Sequence, residues 1–220
     1  MTTCFHLQYR FTSPLILLTM VSIGACQPIY TVGSDVGINV STIDGERIAN
    51  YRDTKFTTGF CYGAAVELRQ SGTWRHRLEV SVIQRGASID YSSSPYNLSA
   101  VYTLTYLDIA VMEKRIIGDG PIRPFVALGP SLSILLSGDI RSGIGEPRGE
   151  SNNGAGEFLK SPSLTLIGTG GMEVAVSDHL AISIGFSCDV GMLGIWNSRE
   201  PHGTALTRDY VVKSGVMVGL

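Results

Sequence analysis

Apolar side chains recur at every second position along this chain, most clearly over 56–69, where Phe56, Thr58, Phe60, Tyr62, Ala64, Val66 and Leu68 alternate with small or polar residues. A period of two predicts a strand, because successive side chains of an extended backbone point to opposite faces, whereas a helix repeats near 3.6. The same alternation runs over 30–41, 163–176, 180–194 and 210–220. Three noisier stretches, 75–86, 98–114 and 123–137, complete a set of eight expected strands. Pro130 falls inside the last of these and has no N–H to give, so a bulge or a locally unpaired position is expected there.

The gaps between these stretches hold 14, 5, 11, 8, 25, 3 and 15 residues, alternating long and short. An eight-stranded antiparallel up-and-down transmembrane β-barrel with both termini on the periplasmic side has short turns below and long loops above, and every longer gap here falls on one side. The expected short turns are 70–74, 115–122 and 177–179. The longest outer loop, 138–162, is rich in Gly, Ser, Asn, Arg and Glu, the composition of a solvated segment.

Alternation alone does not say which face meets lipid, since a soluble ligand-binding barrel would turn its apolar face inward. The composition of the second face decides between them. A water-exposed wall should be crowded with Lys and Glu, yet this face is mostly Gly, Ala, Ser and Thr with isolated charges at Glu67, Arg69, Glu79, Arg85, Asp108, Glu173, Asp189 and Lys213. Both signs are present, which suits a narrow polar interior in which these groups pair across the lumen. Trp74 at a short turn, Tyr210 at the edge of the last strand and Trp196 at the opposite end suit interfacial aromatic girdles.

Composition agrees: charged residues make up only 16% of the chain, against about a quarter in ordinary soluble domains. The N-terminal stretch 11–25 is apolar, follows Arg10 and is too short to span a bilayer, so 1–25 reads as a signal peptide and 26–220 as the barrel domain. Ile23-Gly24-Ala25-Cys26 resembles a bacterial lipobox, which would make Cys26 a lipidation site; ordinary cleavage after Ala25 is the other reading, and both stay open. The remaining balance, 16 basic against 19 acidic residues, gives no reason to expect nucleic-acid binding. Cys61 and Cys188 fall on opposite faces of their strands, so no disulfide is expected between them.

Tyr106-Leu107-Asp108-Ile109-Ala110-Val111, Pro124-Phe125-Val126-Ala127-Leu128-Gly129-Pro130 and Gly168-Thr169-Gly170-Gly171-Met172-Glu173, with Gly37-Ile38-Asn39-Val40-Ser41 near the start, resemble the PorT-like outer-membrane β-barrel family. Asp108 and Ala110 depart from the family's usual Tyr-Leu-Glu-Ile-Pro, and the chain's last residue, Leu220, is not the aromatic common in such barrels. The resemblance implies a barrel in the outer membrane of a Gram-negative bacterium, delivered by the barrel-assembly machinery and surrounded by outer-membrane lipid; some relatives serve protein secretion.

Candidate chemistry is sparse. His202 with Ser198, Glu200 and Asp209 is the one constellation resembling a rim hydrolase, and no Gly-x-Ser-x-Gly elbow or spaced metal-ligand cluster supports it. His76 and His179 fall at the periplasmic end with no partner visible in sequence. No catalytic residue, cofactor or metal is therefore expected, and the chain reads as a non-enzymatic structural or interaction barrel whose outer loops contact a protein partner. The alternatives are a small-solute channel and a lipid-anchored soluble ligand-binding barrel.

Overall fold

The computed structural model describes residues 30–45, 54–91, 98–144, 162–192 and 205–219, and these are strand almost throughout. In chain order they are β1 (Tyr30–Gly45), β2 (Thr54–Lys55), β3 (Thr57–Ser71), β4 (Trp74–Tyr91), β5 (Leu98–Ile116), β6 (Ile122–Ile144), β7 (Ser163–Ser177), β8 (Leu180–Gly191) and β9 (Ala205–Gly219). The two residues of β2 pair with β4 as β3 does, one register step away across Phe56, so β2 and β3 act as one bulged wall strand. Eight antiparallel wall strands then close on themselves: each pairs with its sequence neighbours, and β1 pairs with β9 from Thr31↔Gly219 to Gly45↔Ala205. Closure removes the unpaired edges that an open sheet would expose.

Both described chain ends and the tight connections 72–73, 117–121 and 178–179 lie at one rim. Gly72 makes the first of these turns at φ 54°, a backbone conformation that glycine adopts without steric cost. The connections 46–53, 92–97, 145–161 and 193–204 join strand ends at the opposite rim.

Most walls run further toward that opposite rim than the hydropathy pattern suggests. β1 continues to Gly45, β4 to Tyr91 and β6 to Ile144, and β9 begins at Ala205 rather than at position 210. Outward positions there are polar, such as Ser88, Arg141 and Arg208, while the backbone ladder continues. Strand length follows inter-strand hydrogen bonds, whereas the apolar alternation reports only the part of the wall that meets hydrocarbon. Two expectations change accordingly. The segment 138–144 belongs to β6 and not to the longest loop, and Tyr210 sits well along β9, where its ring stacks on Phe186 and lies near Phe56, rather than at the strand's edge.

Pro130 is accommodated as an unpaired position. The β5–β6 ladder skips Gly129 and Pro130, while the β6–β7 ladder runs through both as Gly129↔Ile167 and Pro130↔Leu166. Gly129 is required beside it, because a Cβ there would lie 2.0 Å from the Val111 carbonyl oxygen.

The two faces are inverted relative to a water-soluble protein. Outward side chains are apolar and exposed, with Phe60 at 70% and Val36 at 63%, whereas Lys114 and Glu173 on the inner face are fully buried. Burying charges inside while exposing phenylalanine and valine outside is stable only when the surroundings are hydrocarbon. Ile184, near the middle of the outward row of β8, tests this: Ile184→Arg is expected to destabilise the barrel in lipid vesicles by about 2–4 kcal/mol, read from urea unfolding. A cost below 1 kcal/mol would place that face in water.

Candidate functional site

The chemistry of this molecule is inside the barrel, where inward-pointing residues of all the wall strands form two ionic layers. Inward positions are fixed by the period of two, so Asp35 and Asn39 on β1, Glu67 on β3, Arg77, Glu79 and Arg85 on β4, and Asp108 and Lys114 on β5 share one lumen.

The layer nearer the short turns is built around Glu67. Its Oε2 accepts a hydrogen bond from Arg75 Nη1 at 2.9 Å, and its Oε1 accepts from Arg77 Nη1 at 3.0 Å and Lys114 Nζ at 2.6 Å. Lys114 also donates to Glu173 Oε1, and its ammonium lies 4.4 Å from the centroid of the Phe125 ring. Arg77 spreads its remaining donors to Asp35 Oδ2 at 3.0 Å and Glu79 Oε2 at 3.0 Å, and Glu79 accepts from Lys213 Nζ at 2.5 Å. Burying so many charges is tolerable because nearly every carboxylate has a cation in hydrogen-bond contact.

The second layer is built around Arg85. Its guanidinium forks onto Asp108, with Nη1 at 3.2 Å from Oδ1 and Nη2 at 2.7 Å from Oδ2, while Nε donates to Asp209 Oδ2 at 2.5 Å and Nη1 to Ser133 Oγ at 3.1 Å. The Tyr106 ring lies 5.1 Å below the guanidinium carbon. Asp189 stands 3.8 Å away without a hydrogen bond, directly across the strand pair from Asp209. On the far side of this layer from the short turns an apolar cluster fills the lumen, Ile43, Ala87 and Leu104 with Leu135 and Ile140 packed on them, beside buried Ser41 and Thr207. The interior is thus polar only in part. A space from which water is excluded accepts aliphatic side chains as readily as paired charges.

At the short-turn rim the lumen opens into a vestibule of about 590 Å³, floored by Glu67, Arg75, Arg123 and Glu173 and walled by Leu180, Ala181 and Met217. A second cavity of about 30 Å³ beside Asp35, Arg77 and Lys213 has room for about one water molecule.

Of the charges singled out in the sequence, Glu67 and Glu173 meet in the first layer through Lys114, Glu79 and Lys213 pair beside them, and Arg85, Asp108 and Asp189 gather in the second. The side chain of Arg69 lies outside the described residues. Asp35, Arg75, Arg77, Lys114 and Asp209 went unremarked as interior charges, although each occupies an inward step of its strand. Asp209 was instead weighed as part of a rim constellation. Its side chain is enclosed and held by Arg85, and Ser198, Glu200 and His202 lie outside the described residues, as do Trp196 and Cys26.

Cys61 is buried inside and Cys188 is half-buried on the outer face, and both are free thiols. His76 does have a partner: its Nδ1 lies 2.5 Å from Glu113 Oε1 on the outer wall near the short-turn rim. Beside it Arg115 lies over the Trp74 ring at 5.6 Å, and His179 occupies the exposed β7–β8 turn. Among the described residues no three His, Cys, Asp or Glu side chains are arranged to hold a metal ion.

A family model described as outer membrane protein beta-barrel domain matches residues 29–190. Among solved structures, the chain is similar to Neisserial surface protein A, with 14% identity and a TM-score of 0.53 over 87% of this chain and 97% of that one. It is also similar to the outer membrane protein OprG from Pseudomonas aeruginosa, with 12% identity and a TM-score of 0.53 over 87% of this chain and 96% of that one. At such identities the likeness is one of fold. No curated protein sequence matches the chain.

Proposed function

Because this chain belongs to the outer membrane protein beta-barrel domain family and resides in the bacterial outer membrane, we propose that it is a closed, non-catalytic barrel that anchors its outer loops at the cell surface for contact with a protein partner. The observation that carries this reading is the filled lumen: two ionic layers and an apolar cluster stand between the vestibule and the outer rim. Side chains tied to one another by hydrogen bonds across the described lumen support a closed barrel over a path for a solute.

Several finer points belong to the same reading. The Pro124–Pro130 and Gly168–Glu173 segments support a place in the PorT-like branch. The apolar stretch 11–25 supports export by a cleaved signal, with Cys26 open to lipidation. An exported chain of this type is inserted by the barrel-assembly machinery.

Planar-bilayer recording tests the proposal. The purified barrel is expected to give no conductance steps above the bare membrane, and stable, reproducible steps would establish a small-solute channel instead. Shortening the loop between Ile144 and Pro162 is expected to leave the unboiled, faster-migrating form on a gel unchanged. Loss of that form would make the loop part of the folding unit rather than a displayed surface.

A further inference from the structure

The vestibule is more than the open end of a plugged barrel. In the ionic layer beneath it, five cations among the described residues, Arg75, Arg77, Lys114, Arg123 and Lys213, face four carboxylates, Asp35, Glu67, Glu79 and Glu173, an excess of one positive charge among them. On the vestibule floor Arg75 and Arg123 face Glu67 and Glu173, and Lys114 is buried between the two carboxylates. Arg123 Nη2 stands 3.5 Å and Arg75 Nη1 4.0 Å from Glu173 Oε2, and neither makes a hydrogen bond to it. Arg123 Nε is also buried and has no acceptor. A donor lacking an acceptor and an acceptor lacking a donor thus lie at one place, on the floor of a cavity whose volume is in the range of small-molecule sites.

A simple anion such as sulfate would satisfy Arg123 and be repelled by Glu173 Oε2. A phosphate group bearing a hydroxyl satisfies both, since its oxygens accept from the guanidinium while its O–H donates to the carboxylate. We propose that the vestibule binds a hydroxyl-bearing phosphate group, with Arg123 and Arg75 holding its oxygens and Glu173 accepting its proton-bearing oxygen. Asp119 and Asp178 on the rim are exposed, so salt screens their repulsion of an entering anion. The group can come from a free phosphate monoester of the periplasm or from a phosphomonoester lipid headgroup, such as that of phosphatidic acid, in the adjoining leaflet.

The test follows the Arg123 Nε–H resonance, and in Arg123→Gln the Arg75 Nε–H resonance, of the full barrel in phosphatidylcholine nanodiscs during titration with inorganic phosphate and, separately, sulfate. A saturable shift with phosphate is expected, with sulfate at least tenfold weaker and the response abolished in Arg123→Gln. Arg123 is a quarter exposed and Glu173 keeps Lys114, so this variant retains the layer's main contacts. No saturable shift, equal affinity for sulfate, or an unchanged phosphate affinity in Arg123→Gln would overturn the proposal. The contrast between the two anions needs no variant. Nanodiscs containing phosphatidic acid separate the sources: a shift present before phosphate is added assigns the site to a headgroup, and one that needs added phosphate assigns it to a solute.

Discussion

Arg85→Met is expected to cost the folded barrel about 3–5 kcal/mol, seen as a large drop in the urea concentration at which the compact, fast-migrating form disappears in lipid vesicles. Arg85 is the one cation within reach of Asp108, Asp189 and Asp209 among the described residues, and methionine would leave these buried carboxylates facing one another. The penalty arises from the partners left behind rather than from the lost bonds alone, so restoring neutrality should rescue it. Arg85→Met combined with Asp108→Asn and Asp209→Asn is expected to regain most of the stability. Asp189→Asn alone is expected to be neutral or mildly stabilising, since Asp189 makes no hydrogen bond to Arg85 and confronts Asp209 across the ladder. An Arg85→Met barrel as stable as the parent would mean that this layer is hydrated and screened, contrary to its burial.

The second large effect is expected at Lys114, whose ammonium joins Glu67 to Glu173 while fully buried against Phe125. Lys114→Met should cost about 3 kcal/mol, toward the low end of the range because Glu67 keeps Arg75 and Arg77. Glu173 is left with Arg123 at 3.5 Å and Arg75 at 4.0 Å, so Lys114→Met with Glu173→Gln should be less damaging than Lys114→Met alone. The Lys114 and Arg85 substitutions share no partner, so their costs are expected to add. Strong non-additivity would show that the layers are mechanically one unit.

Much of the barrel was readable from period-two hydropathy because lipid imposes it on every strand it touches. The Cys61 and Cys188 placements followed from counting steps of two, and the unpaired position at Pro130 from the N–H that proline lacks. What escaped was set by other forces. The extensions to Tyr91 and Ile144 rest on backbone pairing beyond the lipid, where no hydropathy rule operates. Lys114 closes the predicted strand 98–114 and lies three inward steps from Asp108, so its inward direction was available by counting; a lysine at a strand end simply reads as a solvated terminus. Asp209 is misplaced in the sequence reading because its strand is expected from 210, five residues later than its start at Ala205. Which carboxylate meets which cation depends on the stagger between non-neighbouring strands around the barrel, which no local pattern encodes.

The β1–β9 ladder carries a consequence in time. Thr31 is paired with Gly219, so the first strand to emerge must wait for the last before its free side is covered, and no smaller closed intermediate exists. Contacts between such distant positions make for slow folding, and until they form β1 presents an unsatisfied template on which a second nascent chain could zip. A chain interrupted before position 205 lacks β9 altogether, so a truncated product keeps that template open for as long as it lasts.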